Sequence, residues 1–292
     1  MTTVLTLVAA REATSLTNAA IAQARDAIGG GAVTILSDGE AADIICPVAP
    51  GMDRVCEALG DASIDAIATP EDGRRKRLLI ADMDSTIITG ETLDELSAFA
   101  GLGDKIAAIT ARAMNGELDF ADALRERVAM LKGLSVDALE RTWRGVRLTP
   151  GAMELVATMK AQGAYTALVS GGFTFFTSRV AALVGFDMHK SNVLLDDGAA
   201  LSGRVAEPIL DRSAKLATLR ELSARHGLEL SASLAVGDGA NDLDMLAASG
   251  LGVAFHAKPI VAAAARARVD HADLRALLFA QGYPASAFVT GR

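Results

Sequence analysis

Two aspartates after a short apolar segment are the first side chains in this sequence that suggest chemistry. Asp82 and Asp84 follow the segment 78–81, and residues two apart in an extended chain point to the same side. Neighbouring carboxylates repel each other unless a cation neutralises them, and Mg²⁺ prefers oxygen ligands of this kind. Turns also use aspartate to bind their own backbone, so the pair alone indicates a turn more often than a metal site.

A second group of acids follows another apolar segment. Asp238 comes directly after residues 233–236, between Gly237 and Gly239, and Asp242 lies four residues further on. Glycine lets the backbone approach a bound group closely, and acids four apart could face one ion if they begin a helix. Because Mg²⁺ usually sits between a couple of carboxylates and substrate phosphate oxygens, two acidic strand ends together favour a metal-assisted phosphate site.

Groups that suit phosphate itself occur in two other places. Ser170, Gly171 and Gly172 follow the apolar segment 165–169 and offer a hydroxyl and bare backbone N–H groups at a strand-to-helix turn. Lys215, near the start of a predicted helix, adds a compact cation. Taken singly, these residues are more typical of an ordinary turn and of a solvated helix lysine.

Alternating apolar patterns predict an α/β fold that would position these residues. In the first seventy or so residues they predict strands at 4–8, 32–36, 42–48 and 63–69 and helices at 16–28 and 52–59. After a helical block at about 92–147 they predict helices at 153–161, 175–184, 214–226 and 243–248. Strands are predicted at 78–81, 165–169, 233–236 and 252–254. Ligands bind outside the carboxyl ends of parallel strands, which is where the acids fall.

Two polar segments are predicted to lie at the surface. Residues 70–77 contain four consecutive basic side chains and are interpreted as a linker between a first domain, 1–73, and a second, 74–292. Residues 279–292 contain glycine and proline and are interpreted as a surface tail. Cys46 and Cys56 lie among apolar residues and are interpreted as core thiols.

The composition excludes several classes of function. The 292 residues include 28 Lys and Arg against 36 Asp and Glu, a net charge of −8, which argues against a nucleic-acid partner. The longest uncharged segments are interrupted by glycine or proline, whereas a membrane span needs about 20 apolar residues. Two cysteines exclude a disulfide scaffold and a four-cysteine zinc site. We therefore expect a cytoplasmic globular protein with no nucleic-acid or membrane partner.

The order of these segments resembles that of the haloacid dehalogenase superfamily. The matching segments are 82–86 (DMDST), 170–172 (SGG), Lys215 and 237–242 (GDGAND). With 91–95 (ETLDE) and 124–128 (LRERV), they resemble the phosphoserine phosphatases of that superfamily. The resemblance covers about residues 78–278. It implies a three-layer Rossmann-like parallel-sheet core with a helical cap inserted at about 88–149. The first domain weakly resembles the ACT-like regulatory domains of some bacterial members, which implies a regulatory or homodimer-forming role.

The resemblance implies a role for each acid. Asp82 would be the nucleophile that forms an aspartyl-phosphate, and Asp84 would be the general acid and then the general base. Mg²⁺ would be held by the carboxylates of Asp82 and Asp238 and by the backbone carbonyl of Asp84. Asp242 would anchor metal-bound water from the second coordination shell.

It also implies which residues bind the substrate. Those that would contact the phosphoryl group are Ser170, Gly171, Lys215 and Asn241. In the cap, Glu91 would pair with a substrate ammonium group and Arg127 with a carboxylate, while Phe120 and Met114 would form an apolar wall. Without the resemblance, Glu91 and Arg127 would be interpreted as ordinary charges on the surface of a helix.

The function implied is Mg²⁺-dependent hydrolysis of O-phosphoserine to serine and phosphate, the last step of serine biosynthesis. A second hypothesis is a phosphatase or phosphotransferase for another small phosphomonoester, such as phosphothreonine or phosphohomoserine. A third is a binding or sensor protein on a degenerate scaffold, which the intact set Asp82, Asp84, Lys215 and Asp238 opposes.

Overall fold

The computed structural model describes residues 2–114 and 118–290, with an antiparallel sheet in the first part of the chain. The elements of this part are β1 (Thr3–Ala9), α1 (Asn18–Ala27), β2 (Val33–Ser37), β3 (Ala41–Cys46), α2 (Met52–Leu59) and β4 (Ile64–Pro70). The strand order β2-β3-β1-β4 and the βαββαβ connectivity are those of a ferredoxin-like unit. An ACT-like role for this unit stays a prediction.

The sheet of this N-terminal unit is buried on both faces. On one face, Leu5 and Leu7 pack with Val55 beneath the two helices. On the other face, Val8 and Ile67 join the main hydrophobic core of the chain. Burial of apolar surface on both sides means that the unit is packed directly against the rest of the protein.

The second part of the chain contains a parallel sheet with helices on both faces. Its first strand is β5 (Leu78–Ala81), and the cap helices follow it: α3 (Thr92–Phe99), α4 (Gly103–Met114), α5 (Phe120–Ala129) and α6 (Asp137–Gly145). The next elements are α7 (Ala152–Ala161), β6 (Tyr165–Phe173), α8 (Thr174–Val184), β7 (Met188–Asn192), β8 (Leu194–Asp196), β9 (Leu201–Val205) and α9 (Arg212–Arg225). The chain continues with β10 (Ser233–Gly237), α10 (Leu243–Ala248), β11 (Leu251–Phe255), α11 (Pro259–Ala264), β12 (Ala267–Val269) and α12 (Ala276–Ala280).

The strand order of this sheet is β12-β11-β10-β5-β6-β7, and each neighbouring pair is parallel. Alternate residues of β5 enter two separate cores, with Leu79 and Ala81 in one and Leu78 and Ile80 in the other. This strand is therefore buried on both faces, as its continuous apolar run predicts. The predicted α/β class with a three-layer parallel-sheet core is confirmed.

The cap helices lie between β5 and α7, and the two ends of the inserted segment meet. The backbone N–H of Thr89 donates to the carbonyl of Arg147 at 3.0 Å, and that of Thr149 donates to the carbonyl of Ile87 at 2.9 Å. Helix α5 begins where the side chain of Asp119 accepts the N–H of Asp122. The segment thus leaves and re-enters the core at one place, above the carboxyl end of β5.

The predicted linker 70–77 is exposed at most positions, but Arg74 and Lys76 in it are not, and the predicted surface tail is wrong for the first part of 279–292. The guanidinium of Arg74 donates to both carboxylate oxygens of Asp43, at 2.6 and 2.7 Å, and to the carbonyl of Ala280 at 2.9 Å. Arg74 therefore ties the N-terminal unit to the end of the chain, so that the connection at 70–77 is not solvated throughout. In the predicted tail, the side chains of Phe279 and Tyr283 are buried.

Smaller differences concern edge elements and cysteines. The strands β7 and β12 and the hairpin β8–β9 were not expected from the sequence. Cys46 is buried as predicted, whereas Cys56 is exposed. No helix in the described ranges is long and apolar enough to span a bilayer.

Candidate active site

Three adjacent strand ends bring the predicted site residues together. Strand β5 lies between β10 and β6, so Asp82 follows the central strand, Asp238 follows one neighbour, and Ser170 lies near the end of the other. The backbone N–H of Asp82 donates to the carbonyl of Val236 at 3.0 Å, which continues the pairing of β5 with β10 past the last paired residues. Parallel register therefore positions the acids side by side.

The carboxylates of Asp82, Asp238 and Asp242 form an acidic cluster. All three residues are buried, and one oxygen of each lies within 4.8 Å of the others. Burial, and then the charge of Asp82, raises the pKa of Asp238 to about 7. Buried like charges are unfavourable unless a cation lies among them, so the cluster has the donors and the electrostatic need for a hard divalent ion.

Lys215 neutralises one side of the acidic cluster. Helix α9 begins at Asp211, whose side chain accepts the N–H of Ala214, and its first turn points Lys215 inward. The Nζ atom lies 2.7 Å from Asp82 Oδ1 and 2.6 Å from Asp242 Oδ1. Burial disfavours the charged ammonium, but Asp242 and Asp82 outweigh this effect and raise the pKa of Lys215. The ammonium of Lys215 therefore stays charged and lies next to Asp82 and Asp242.

Asp242 differs from the other two acids because both of its oxygens are already engaged. Oδ1 contacts the ammonium of Lys215, and Oδ2 accepts the N–H of Gly239 at 3.0 Å. These bonds fix the turn that carries Asp238. This position suits a supporting residue better than a direct metal ligand.

Asp84 is connected to both the core and the cap. Its Oδ1 accepts the backbone N–H of Thr92 at 2.8 Å, and its Oδ2 accepts the hydroxyl of Ser170 at 3.2 Å. Burial, and then the nearby charge of Glu91, raises the pKa of Asp84 to about 7. A carboxyl group with a pKa near neutrality can both release and accept a proton under physiological conditions.

A cavity of about 120 Å³ joins the acids to the cap. The predicted site residues that line it are Asp82, Asp84, Glu91, Arg127, Ser170, Gly171, Asp238 and Asn241, together with Phe120. Lys215 and Asp242 do not line this cavity and instead support the acids. The side chain of Met114, the other residue of the predicted apolar wall, lies outside the described residues.

The cap contributes charges of opposite sign to this cavity. Glu91 immediately precedes α3, and its Oε1 accepts the hydroxyl of Ser85 at 2.8 Å. Arg127 lies in α5, where Nε donates to the carbonyl of Ala123 at 3.2 Å, and burial lowers its pKa. A carboxylate and a guanidinium therefore line one small cavity, an arrangement that suits a zwitterionic ligand.

Close packing explains the two glycines after Ser170. A Cβ atom at Gly171 would lie 3.0 Å from the ring of Phe120, and one at Gly172 would lie 2.9 Å from Asp84 Oδ2. The N–H of Gly172 donates to the hydroxyl of Ser170 at 2.9 Å. Glycine is thus needed here because the cap and the acids approach this backbone closely.

A larger cavity of about 760 Å³ lies beside the N-terminal unit, between Arg11 and the segment 271–273. It contains Ser85 but none of the aspartates discussed above, so we assign the chemistry to the smaller cavity.

One cavity residue, Lys258, was missed by the sequence interpretation. It follows strand β11, and its Nζ atom lies 3.7 Å from Asp238 Oδ2. Its position three residues beyond a parallel strand was the available signal, because such positions meet at the same edge of the sheet as the acids.

The chain is similar to known phosphatases over most of its length. The model of the haloacid dehalogenase-like hydrolases matches residues 79–247. A phosphoserine phosphatase of Streptomyces coelicolor is 42% identical over 236 residues, which are 81% of this chain and 57% of that protein. A phosphoserine phosphatase of Streptococcus thermophilus is 44% identical over 199 residues, which are 68% of this chain and 93% of that protein.

The similarity to one solved structure extends over the N-terminal unit. A haloacid dehalogenase family hydrolase of Salmonella enterica superposes with a TM-score of 0.85 at 29% identity, over 95% of this chain and 97% of that one. The Streptomyces protein is longer, so the chain spans little more than half of that relative's length. The matched region contains the acidic cluster and the cap residues, and on these findings the chain belongs to the haloacid dehalogenase-like hydrolases and, among them, to the family of the phosphoserine phosphatases.

Proposed function

We propose that this protein hydrolyses O-phosphoserine to serine and inorganic phosphate with Mg²⁺, through an aspartyl-phosphate, as the last step of serine biosynthesis. The observation that carries the proposal is that one cavity of about 120 Å³ joins the acidic cluster to Glu91 and Arg127. A phosphomonoester with an ammonium group and a carboxylate matches both ends of that cavity. Its small volume favours a small molecule over a peptide.

The residues fit a magnesium ion. Asp82 and Asp238 would hold it with their carboxylates and Asp84 with its backbone carbonyl, while Asp242 would orient bound water. The raised pKa of Asp238 supports this fit, because it arises from burial and from the negative charge of Asp82, and a bound cation would offset both. When bound, the ion supplies positive charge that lets the phosphate approach the aspartates.

Asp82 is proposed to attack phosphorus and form the aspartyl-phosphate while the bond from phosphorus to the seryl oxygen breaks. Lys215 would orient the carboxylate of Asp82 through the 2.7 Å contact. Asp84 would donate its proton to the leaving seryl oxygen. It would then accept a proton from the water that attacks the phosphoryl group, while the bond from phosphorus to the Asp82 oxygen breaks and inorganic phosphate is released. The pKa of Asp84, about 7, suits both proton transfers.

Substrate binding is proposed to divide between the two ends of the cavity. Ser170, Gly171 and Asn241 would contact the phosphoryl oxygens, and Lys215 would add positive charge from below. In the cap, Arg127 would bind the substrate carboxylate and Glu91 its ammonium, with Phe120 against the apolar part of the molecule. Closure of the cap over these contacts would keep water out until the first transfer is complete.

The test is phosphate release from O-phosphoserine. We expect activity with Mg²⁺, no activity in excess EDTA, and none above background in Asp82→Asn, which preserves shape but is a poor nucleophile. Exposed Asp104 in the cap supplies a matched control, since Asp104→Asn should retain full activity. An Asp82→Asn protein as active as the wild type, or a wild type without activity on phosphoserine, would reject the proposal.

The proposal also covers the role of the N-terminal unit and the compartment in which the protein acts. The N-terminal unit, with the limits 1–73, is proposed to be regulatory or to form a homodimer, and the protein to act in the cytoplasm. Sedimentation of the full chain with and without serine tests the first statement. A dimer-forming unit should give the mass of two chains, and a regulatory unit should make the sedimentation depend on serine.

A further inference from the structure

Lys258 contacts Asp238 in two ways. Its backbone N–H donates to the carbonyl of Asp238 at 3.2 Å, and its Nζ atom lies 3.7 Å from Asp238 Oδ2. The second distance allows electrostatic attraction but exceeds the length of a normal hydrogen bond. The three ammonium donors are therefore not used up by Asp238, and the side chain, 49% exposed, lines the substrate cavity.

The charges around the cavity give Lys258 a distinct position. Among the lining residues that the structure describes, Arg127 is the cation on the cap side, and Lys258 is the cation beside the acids. Lys215 lies deeper, and its ammonium is already within 2.7 Å of two carboxylates. Lys258 is thus the lysine at the acidic end whose ammonium can turn toward an anion inside the cavity.

The loop that carries Lys258 is fixed by the fold. His256 adopts a positive φ of 43°, which non-glycine residues adopt only when their surroundings hold them there. Its N–H donates to the carbonyl of Val269 at 2.8 Å, and its ring Nε2 lies 2.9 Å from the carbonyl of Ala272. This bend turns the chain after β11 back toward Asp238.

The segment that accepts the ring of His256 is held by the N-terminal unit. The carboxylate of Asp65 in β4 accepts the backbone N–H groups of Asp270, His271 and Ala272, at 2.8, 3.1 and 2.7 Å. The carbonyl that receives the His256 ring thus belongs to a segment held by another part of the protein. The bend that precedes Lys258 is therefore bonded to a segment that the N-terminal unit also contacts.

We propose that Lys258 is a phosphate-binding residue that pairs with Asp238 until a divalent cation takes its place and then turns to the phosphoryl oxygens. This inference rests on the proposed function, because it assumes a phosphate at the acidic end of the cavity. It adds that the ammonium of Lys258 changes partners. This ammonium competes with the metal for Asp238 and afterwards binds the anion that the metal attracts.

Titration calorimetry tests both parts in Lys258→Met. The metal-free variant should bind Mg²⁺ about three- to fivefold more tightly than the wild type, because a competing cation near Asp238 is gone. The Mg²⁺-loaded variant should bind inorganic phosphate about five- to tenfold more weakly, because a charge-assisted contact is lost. Lys258→Arg should resemble the wild type in both titrations.

Lys160→Met is the matched control. Lys160 is also partly exposed and pairs with an aspartate, at 2.7 Å from Asp187 Oδ1, but it lies outside the site cavity. Its variant should bind Mg²⁺ and phosphate as the wild type does. A change of less than twofold in either binding constant of Lys258→Met overturns the inference. Wild-type failure to hydrolyse phosphoserine, by contrast, rejects the proposed function, and both titrations remain measurable in that case.

Discussion

Asp84 Oδ1 accepts the backbone N–H of Thr92 at 2.8 Å, so the acid two residues after the proposed nucleophile is bonded to the first residue of the cap helix α3. Its other oxygen accepts the hydroxyl of Ser170. One carboxyl group therefore touches the cap, the core and the cavity. The position of the cap and the proton chemistry of Asp84 are consequently linked.

Replacing Asp84 by Asn should separate these two roles. The amide oxygen can still accept the N–H of Thr92, but the side chain can no longer exchange a proton. We expect kcat with phosphoserine to fall about 10²- to 10⁴-fold, with little change in the thermal unfolding temperature. Steady-state kinetics and a melting curve measure both quantities. A variant with at least half of the wild-type kcat would show that Asp84 is not the acid and base.

Loss of Lys215 should destabilise the fold, most strongly without metal. Lys215→Met leaves Asp82 and Asp242 buried without their counter-charge, and breaking such a pair costs about 3–5 kcal/mol. Urea unfolding in Mg²⁺-free buffer should show this loss in the free energy of unfolding, and added Mg²⁺ should recover part of it. Lys160→Met breaks a partly exposed pair and should cost no more than about 1 kcal/mol. Equal losses in the two variants would contradict the electrostatic account of the cluster.

Arg127 should determine selectivity for an amino-acid substrate. In Arg127→Ala, kcat/KM for phosphoserine should fall about 10- to 100-fold, the value of a lost charge-assisted contact. The activity on p-nitrophenyl phosphate should change less than threefold, since that ester has no amino-acid carboxylate. Equal losses on both esters would favour another small phosphomonoester, because the guanidinium would then not be recognising the carboxylate.

Arg74 lies 8 residues before the proposed nucleophile. We expect it to contribute to the stability of the fold. Its pair with Asp43 is largely buried, with side-chain exposures of 12% and 9%. Arg74→Met leaves Asp43 without its partner, and we expect a loss of about 3 kcal/mol in the free energy of unfolding. Exposed Arg77 is the control, since Arg77→Met should change that free energy by less than about 0.5 kcal/mol. Matching values for the two variants would show that the pair of Arg74 with Asp43 does not stabilise the fold.

The sequence predicts the parallel core well because its central strands are continuous apolar segments that end in acids. The run Leu78–Ala81 indicates a strand buried on both faces, and the structure has one there. It also predicts residues that the structure brings around one cavity, since strand ends in a parallel sheet meet at one edge. Their catalytic and binding roles stay predictions until the variants are measured.

The missed features depend on contacts between distant parts of the chain. Strand β7 has the sequence MHKSN, which carries no apolar alternation, and it forms because β6 offers an edge to pair with. Arg74 appears solvated in a basic run, but its partner Asp43 is 31 residues away. Tyr283 lies among loop-forming residues, but its side chain is buried in the main core, and the guanidinium of Arg75 lies 4.6 Å from the centre of its ring. No local pattern contains this information.

The most direct test of the account is to identify the phosphorylated residue during turnover. Wild-type protein mixed with O-phosphoserine and Mg²⁺ should be quenched in acid within one turnover and analysed by intact mass and peptide mapping. We predict one acid-stable phosphoryl group, lost in mild base, on the peptide that contains Asp82, and none in Asp82→Asn. Phosphate release without any phosphorylated peptide, or with the group on a different residue, would contradict the proposed mechanism.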